Sequence, residues 1–262
     1  MMNHQYYFIG TSLPPLHIGE TPEISWDHLQ RLLKDNLSEH DYAQTKVLRR
    51  YFDILNIRFF LKKEPLDPYG NLDLNEIEEG ILGEPGAFPL YVMNYLDRYE
   101  TKEDRLYHFP ELVAAFFREE VDSQSGFLKH YLIFERNLRL VLTAYRAKQL
   151  NRDIAKELQF ENPDENLIVQ LISQKDSKNF DPPEGFEDLK AILDENYASP
   201  LALQKALNEY RFKKLDEISG FNVFSFDRIL AYLASYFIVE KWMALDREQG
   251  LKIVDNIIEG KS

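Results

Sequence analysis

The stretch LIFERNLRLVLTAYRAK, residues 132–148, spaces its apolar side chains as a helix does and carries Asn-Leu-Arg at residues 137–139. The stretch YFDILNIRFFLKK, residues 51–63, repeats this pattern about eighty positions earlier, with Asn-Ile-Arg at residues 56–58. Apolar periodicity near 3.6 residues predicts α-helix, and a phrase that recurs along a chain indicates duplicated structural units. The sequence therefore predicts an all-α, multi-lobed helical bundle with internally repeated helical units.

The composition is that of a folded protein with an acidic surface. Of the 262 residues, 44% are hydrophobic and 29% are charged, and the net charge is -13. Such a surface repels both nucleic-acid phosphates and anionic lipid head groups, so we expect no nucleic-acid partner and no direct insertion into lipid. Basic protein partners are electrostatically favoured.

Cysteine content and hydropathy bear on the compartment. The chain has no cysteine, which excludes disulfides, thiolate zinc sites and a cysteine nucleophile and fits a cytoplasmic protein. The most apolar run, residues 229–239, falls short of the ~20 residues that span a bilayer. We therefore expect that run to be a buried core helix. The first seventeen residues lack the pattern of a signal peptide.

Clusters of proline and glycine interrupt the helical pattern twice, at residues 65–90 and at residues 176–185. Both residue types break helices and mark connections between compact units. We therefore predict three lobes, formed by residues 1–70, 71–178 and 179–262.

Apolar periodicity and potential capping residues predict the elements within these lobes. Ser25, Ser38 and Ser199 each precede a helical pattern and are expected to cap it. Residues 6–9 are expected to form an extended arm, because glycine and proline follow closely and no second strand offers a partner. Helices are predicted near residues 26–37, 39–63, 74–82, 90–99, 109–121, 126–149, 186–196, 200–217, 225–245 and 248–259.

The repeated phrase places polar side chains beside an apolar stripe. Residues three and four apart share one helix face, so Glu135 and Arg139 can pair, and Arg146 continues the basic stripe. Asn137 lies near the apolar side, where a buried amide needs a hydrogen-bond partner. This pattern has two interpretations. In the structural one, the helices are ordinary core helices and their arginines are solvated. In the functional one, the basic stripe faces a partner protein.

The repeated phrase resembles helices of a known family. Residues 137–139 followed by Arg-Ala-Lys at residues 146–148 look like the Asn-(Ile/Leu)-Arg … Arg-Ala-Lys helices of the C-type coupling subunits of rotary V/A-type ATPases, which are called d in some systems. Residues 56–58 look like the earlier copy of that helix. The stretch from residue 229 to residue 261 is similar to the final segment of the family. The opening, YYFIGTSLPPL, resembles the start of a bacterial family associated with V-type ATPases that stands in for these C-type subunits.

The resemblance implies a function and a set of candidate residues. In the C-type family, three helical lobes form a funnel on the cytoplasmic face of the membrane rotor ring and receive the foot of the central stalk. The implied protein is a non-catalytic coupling subunit without cofactor or metal, whose partners are the central stalk subunits and the rotor ring. It would be cytoplasmic and peripheral at the inner membrane through those partners. The candidate interface or motif residues are Asn56, Arg58, Asn137, Arg139, Arg146, Lys148, Glu240 and Lys241.

Two alternatives to this function remain. One is a soluble all-α adaptor that binds another basic or amphipathic protein. The other is an α-helical metal-dependent phosphohydrolase, in which His40 and Asp41 bind metal together with His28 and Asp53. An acidic residue directly after a helix cap is also favoured by the helix dipole alone. The sequence contains no metalloprotease, phosphate-loop or serine-hydrolase motif, so we expect a protein without an active site.

Overall fold

The computed structural model describes residues 5–84, 86, 88–177 and 179–258, with only the backbone described for residues 247–258. Within these residues, all regular secondary structure is helical, which confirms the predicted all-α class. A short 3₁₀ helix covers Gln174–Asp176. The thirteen α-helices of the described residues are α1 (Tyr7–Ser12), α2 (Trp26–Asn36), α3 (Glu39–Lys62), α4 (Leu74–Ile81), α5 (Leu90–Arg98), α6 (Lys102–Tyr107), α7 (Phe109–Ser123), α8 (Gly126–Gln149), α9 (Ile154–Glu157), α10 (Asn166–Ser173), α11 (Leu189–Asn196), α12 (Pro200–Ser219) and α13 (Phe226–Ile258).

The predicted serine caps are present at the starts of three helices. The Ser25 hydroxyl accepts a hydrogen bond from the backbone N–H of His28, and the Ser38 hydroxyl accepts one from the N–H of Asp41. Ser199 caps α12 in the same way. Each cap satisfies a backbone donor that has no partner within its own helix. Local sequence therefore fixes where α2, α3 and α12 begin.

The N-terminal segment is helical, so the extended arm predicted for residues 6–9 is wrong. The backbone N–H of Tyr6 donates to the carbonyl of Phe224 at 2.8 Å, and Ile9 in α1 is fully buried. Burial of that side chain against residues far along the chain favours a helical turn over extended backbone. This tertiary contact is not visible in the local sequence.

A second difference lies at the C-terminal end, where one helix, α13, replaces the two helices predicted at residues 225–245 and 248–259. Gly250 lies inside α13. A glycine in a helix costs about 1 kcal/mol relative to alanine, which is too little to end a helix of this length. Three helices, α6, α9 and α10, have no counterpart among the predicted elements.

The chain divides into two compact units. The first unit contains the described residues up to Thr45 and from Glu195 onward, and the second unit is Lys46–Asp194. Both predicted boundaries, at residues 65–90 and 176–185, lie within the second unit, so the two units do not coincide with the three predicted lobes. Hydrogen bonds described below fasten both connectors to long helices of that same unit.

The core of the second unit is built around α7. Phe116 is fully buried there, and the Tyr51 ring of α3 lies 5.5 Å from it and 5.7 Å from the Phe117 ring. Glu120, also buried, receives a charged hydrogen bond of 2.7 Å from Arg50. An ion pair with one buried partner is destabilising to break, because it leaves that charge uncompensated. The apolar and charged contacts together fix α3 against α7.

The core of the first unit is aromatic and centres on α13. The Trp26 ring of α2 lies 6.0 Å from the Tyr236 ring and 5.3 Å from the Phe237 ring. Burial, followed by the neighbouring carboxylate of Glu240, raises the pKa of Tyr236, whose hydroxyl is hydrogen-bonded to that carboxylate. One turn earlier, the buried hydroxyl of Tyr232 has no hydrogen-bond partner among the described residues.

Because only one of these two hydroxyls is hydrogen-bonded within the described part of the chain, a Tyr→Phe substitution should affect the free energy of unfolding differently at the two positions. Tyr236→Phe should lower the free energy of unfolding by about 1 kcal/mol, because it removes a paired hydroxyl. Tyr232→Phe should leave stability unchanged or raise it by about 1 kcal/mol, because it removes a buried polar group whose hydrogen-bonding capacity is unsatisfied. Urea titrations of both variants check this. A loss in Tyr232→Phe equal to that in Tyr236→Phe would show that the Tyr232 hydroxyl has a partner.

Candidate functional site

Asn56, in the first copy of the repeated phrase, is fully buried and binds the backbone of the following connector at two points. Its Nδ2 donates to the carbonyl of Asp67 at 3.1 Å, and its Oδ1 accepts from the N–H of Asp67 at 2.7 Å. An amide side chain can satisfy both backbone groups of one residue in this way. Asn56 therefore serves the fold by holding the connector on α3.

Asp53, one turn earlier, holds the next part of the connector. Its carboxylate accepts hydrogen bonds from the backbone N–H groups of Asn71, at 2.5 Å, and Leu72, at 3.0 Å. Burial raises the pKa of Asp53, although these hydrogen bonds oppose the rise. A Cβ atom at Gly70 would lie 2.7 Å from both the Asp53 Oδ1 and the Asn56 Nδ2. Only glycine fits this close approach.

The arginines of the two repeated phrases have matching environments. The Arg58 guanidinium lies over the Phe109 ring, and the Arg139 guanidinium lies over the Phe117 ring, each 5.5 Å from the ring centroid. Both rings belong to α7, so the two long helices place their motif arginines on the same central helix. Such cation–π contacts each contribute about 0.5–1 kcal/mol at exposed sites.

The asparagines of the two phrases, in contrast, have different environments. Asn56 is fully buried, whereas Asn137 is half-buried and accepts one long hydrogen bond, 3.5 Å, from Arg136. The internal similarity of the two helices therefore extends to the arginines and not to the asparagines.

A network of charges surrounds the second phrase and includes Arg136, a residue that the sequence analysis missed. Arg136 donates to Glu161 and Glu165, at 2.7 Å each, and Arg139 donates to Glu161 at 2.6 Å. Burial disfavours the charged form of Arg136 and by itself would lower the pKa of the guanidinium. The hydrogen bonds to Glu165 and Glu161 stabilise the charged form more strongly, so the pKa is raised. Glu161 and Glu165 lie in the turn between α9 and α10, so no helical periodicity in the sequence pointed to this site. The network holds the start of α10 on α8.

Lys148 and Arg146, at the end of the second phrase, differ in their surroundings. The Lys148 ammonium donates to the carbonyl of Gln174 at 2.6 Å and to the carbonyl of Ser177 at 2.5 Å. These bonds join the end of α8 to the two ends of the segment that contains the 3₁₀ helix. Lys148 thus fastens the connector after the 3₁₀ helix, while Arg146 is exposed.

The candidate residues of α13 lie beside its aromatic core. Glu240 is half-buried and bonds to Tyr236, and Lys241 is exposed. Three of the eight candidates are exposed to solvent, and these are Arg58, Arg146 and Lys241.

An exposed apolar surface lies in the first unit, and the sequence analysis did not identify it. We call it the α1 face; it consists of Tyr7, Phe8, Phe221 and Val223, each more than half exposed. The Tyr7 ring lies 4.9 Å from the Phe224 ring, which places α1 next to the turn that precedes α13. Exposed aromatic and aliphatic side chains are characteristic of protein-binding sites where they form a patch. The unpaired apolar run at residues 6–9 was the available signal.

The residues of the phosphohydrolase alternative make other contacts. Asp41 accepts a hydrogen bond from the Tyr6 hydroxyl, and the His40 ring lies 2.7 Å from the Gln44 amide. In the part of the chain that the structure describes, no group of three or more histidine or acidic side chains is arranged to hold a metal ion. Among the same residues, no helix combines the length and hydropathy that crossing a bilayer requires.

The fold and these contacts define an all-helical protein whose polar motifs bind its own connectors. The chain belongs to the family described as "Protein of unknown function (DUF2764)", whose model matches residues 2–261. It is 31% identical to an uncharacterized protein of Chlamydia pneumoniae, over 97% of each chain. It is 28% identical to uncharacterized proteins of Chlamydia muridarum and Chlamydia trachomatis, over 98% of each chain. No solved structure matches it significantly.

The two asparagines should differ in their contribution to stability. Asn56→Ala removes the acceptor of the buried Asp67 N–H and leaves the Asp67 carbonyl with the 3.4 Å hydrogen bond from the Gly70 N–H, so it should lower the free energy of unfolding by about 2 kcal/mol. Asn137→Ala, the matched control, should lower it by less than about 1 kcal/mol, because one long hydrogen bond is lost. Urea denaturation measures both. Equal losses would contradict the different environments of the two residues.

The two arginines of the basic stripe should also differ. Arg139→Glu places a negative charge against Glu161 and should lower the free energy of unfolding by about 3 kcal/mol. Arg146→Glu, on the same helix and exposed, should change it by no more than about 0.5 kcal/mol. Thermal and urea unfolding of both variants test this. Arg139→Glu with wild-type stability would exclude the intrachain role of Arg139.

Proposed function

We propose that this protein is a non-catalytic coupling subunit of a bacterial V/A-type rotary ATPase. In this role it links the membrane rotor ring to the central stalk, lies on the cytoplasmic side and is held at the inner membrane by its protein partners. The observation that carries the proposal is the pair of Asn-x-Arg helices, α3 and α8. Their sequences resemble the C-type coupling subunits, and their arginines lie over two rings of the same helix.

The internal bonding of the second unit supports a mechanical role. Torque passes through a body only if its elements resist displacement, and dense packing supplies that resistance. Asn56 and Lys148 fasten the two longest connectors of this unit, while Arg136 joins α8 to the start of α10 through two carboxylates. These polar groups bind other elements of the second unit. Such internal bonds are expected in a protein that must resist deformation.

The surface of the first unit supports binding to another protein. The α1 face presents Tyr7 and Phe8 at 62% exposure each, and aromatic side chains contribute strongly to the energy of protein interfaces. The net charge of -13 favours partners with basic surfaces. We assign the α1 face to contact with a protein of the central stalk.

Affinity purification from the source cell tests this function. The full chain, carrying a tag, should recover central stalk and rotor subunits of the rotary ATPase, identified by mass spectrometry. Recovery should fall as salt rises, because charge attraction between exposed groups is screened. Phe8→Asp should reduce recovery about tenfold, since it places a charge in the α1 face.

Tyr107→Asp is the matched control, because Tyr107 is a comparably exposed aromatic residue of the second unit. It should recover the rotary subunits as the wild type does. Equal loss in both variants would mean that the α1 face is not the contact. Recovery of unrelated proteins, with rotary subunits absent, would replace this proposal by the adaptor function.

A further inference from the structure

The helix α4 of the second unit buries one side and exposes the other. On the inner side Ile77 is fully buried, and a Cβ atom at Gly80 would lie 2.4 Å from the Phe88 ring. On the outer side Leu74 is 54% exposed, and Leu82, the C-cap residue, is 76% exposed. Single exposed leucines are common on protein surfaces, but two on the outer side of one short helix form an apolar stripe.

Two carboxylates lie along this stripe. Leu74, Glu78 and Leu82 follow each other at four-residue intervals and therefore share one side of the helix. Leu82 keeps helical backbone angles, with φ -76° and ψ -5°, so the row continues to it. Glu78 and the adjacent Glu79 are both exposed. We call the surface formed by Leu74, Glu78, Glu79 and Leu82 the α4 face.

The charge of the α4 face is negative and uncompensated. Between Lys63 and Arg98 the chain carries eight acidic residues and no lysine, arginine or histidine. The side chains of Glu78 and Glu79 make no hydrogen bond or ion pair with any residue that the structure describes. A cation supplied by another molecule would therefore meet carboxylates that have no competing partner within the described chain.

We propose that the α4 face binds an amphipathic helix of another protein whose apolar stripe is flanked by lysine or arginine. The leucines contact the apolar stripe of such a helix, and the glutamates pair with its cations, as charges beside an apolar seam do between helices. This inference goes beyond the proposed function and does not depend on it, because the chemistry of the partner follows from the α4 face alone.

The α4 helix is already held in place without a partner. Asp73 and Glu76 form a reciprocal capping box, in which each side chain accepts a hydrogen bond from the backbone N–H of the other residue. Just before this cap, Asp53 of α3 accepts hydrogen bonds from the N–H groups of Asn71 and Leu72. A surface that is ordered in advance loses little conformational entropy when it binds.

The length of the α4 face limits the strength of binding. From Leu74 to Leu82 it extends roughly 12 Å, or about two helical turns. A contact of that length buries less than the roughly 1,200 Å² of a standard interface, which is typical of transient association. We therefore expect a dissociation constant of about 10–100 µM. It should increase with salt concentration, because ion pairs between exposed groups are screened.

Other occupants are disfavoured by the same charges. Anionic lipid head groups and nucleic-acid phosphates are repelled by an acidic surface. A second copy of this chain carries a net charge of -13 and is repelled as well. A basic helix has no such penalty and associates faster.

Binding of three helical peptides of equal length, about eighteen residues, to the purified full chain tests the proposal. The first peptide places leucines on one side and lysines beside them. The second replaces every lysine by glutamate, and the third has the composition of the first with its leucines spread around the helix. Fluorescence anisotropy should detect binding of the first peptide and at least about tenfold weaker binding of the other two. Equal binding of the first and third would show general attraction to an acidic protein and overturn the proposal.

Variants of the α4 face should weaken binding of the first peptide, and matched variants elsewhere in the second unit should not. Glu79→Lys reverses one charge of the face, and Asp122→Lys makes the same change in net charge in the last turn of α7. Leu82→Ser removes an exposed leucine at a helix C-cap, and Leu150→Ser does so at the C-cap of α8. We expect about tenfold weaker binding for the first variant of each pair and unchanged binding for the second.

All four positions are exposed, so the circular dichroism spectrum and the urea midpoint of each variant should match those of the wild type. If Leu82→Ser shifts the midpoint, the comparison of Glu79→Lys with Asp122→Lys decides alone. Equal weakening by a variant of the α4 face and its control overturns the assignment. A wild-type dimer in sedimentation velocity that dissociates in Leu82→Ser also overturns it, because a second copy would then occupy the face.

Discussion

Buried backbone groups in the connectors must find hydrogen-bond partners, and side chains on the two longest helices of the second unit supply them. Asn56 satisfies both backbone groups of the buried Asp67. Lys148 binds the carbonyls of Gln174 and Ser177, which lie nearer the surface. A buried unpaired N–H or carbonyl costs about 1–3 kcal/mol. Connectors rich in proline and glycine cannot satisfy these groups through regular structure of their own. The compactness of this unit therefore depends on a few polar side chains of α3 and α8.

This dependence changes the meaning of the repeated phrase. Asn-x-Arg stands out in the sequence as a possible binding motif, but in the structure Asn56 and Arg139 bind other parts of the chain. Arg139 joins Glu161 and the Phe117 ring, and Arg58 lies over the Phe109 ring. Polar residues that recur within an apolar stripe can be selected for packing as readily as for partners. A mechanical role is compatible with both interpretations, since a stiff body requires such internal bonds.

The surfaces available for partners lie elsewhere, among them the α1 face of the first unit. The α1 face combines exposed aromatic residues, and the Leu13–Leu16 segment beside it contains two prolines. Apolar contact supplies most of the energy of such an interface, and charge supplies the selection among partners. The overall net charge of -13 favours partners with basic surfaces.

The sequence by itself determined the all-α class, the serine caps and most of the long helices, because these depend on periodicity and on side chains within one turn. The helical state of residues 7–12, the continuity of α13 and the pairing of Arg136 with Glu161 and Glu165 were decided by the tertiary structure. The α1 face and the limits of the compact units were decided there too. Each of these features depends on contacts between residues far apart along the chain, and such contacts leave no local pattern in the sequence.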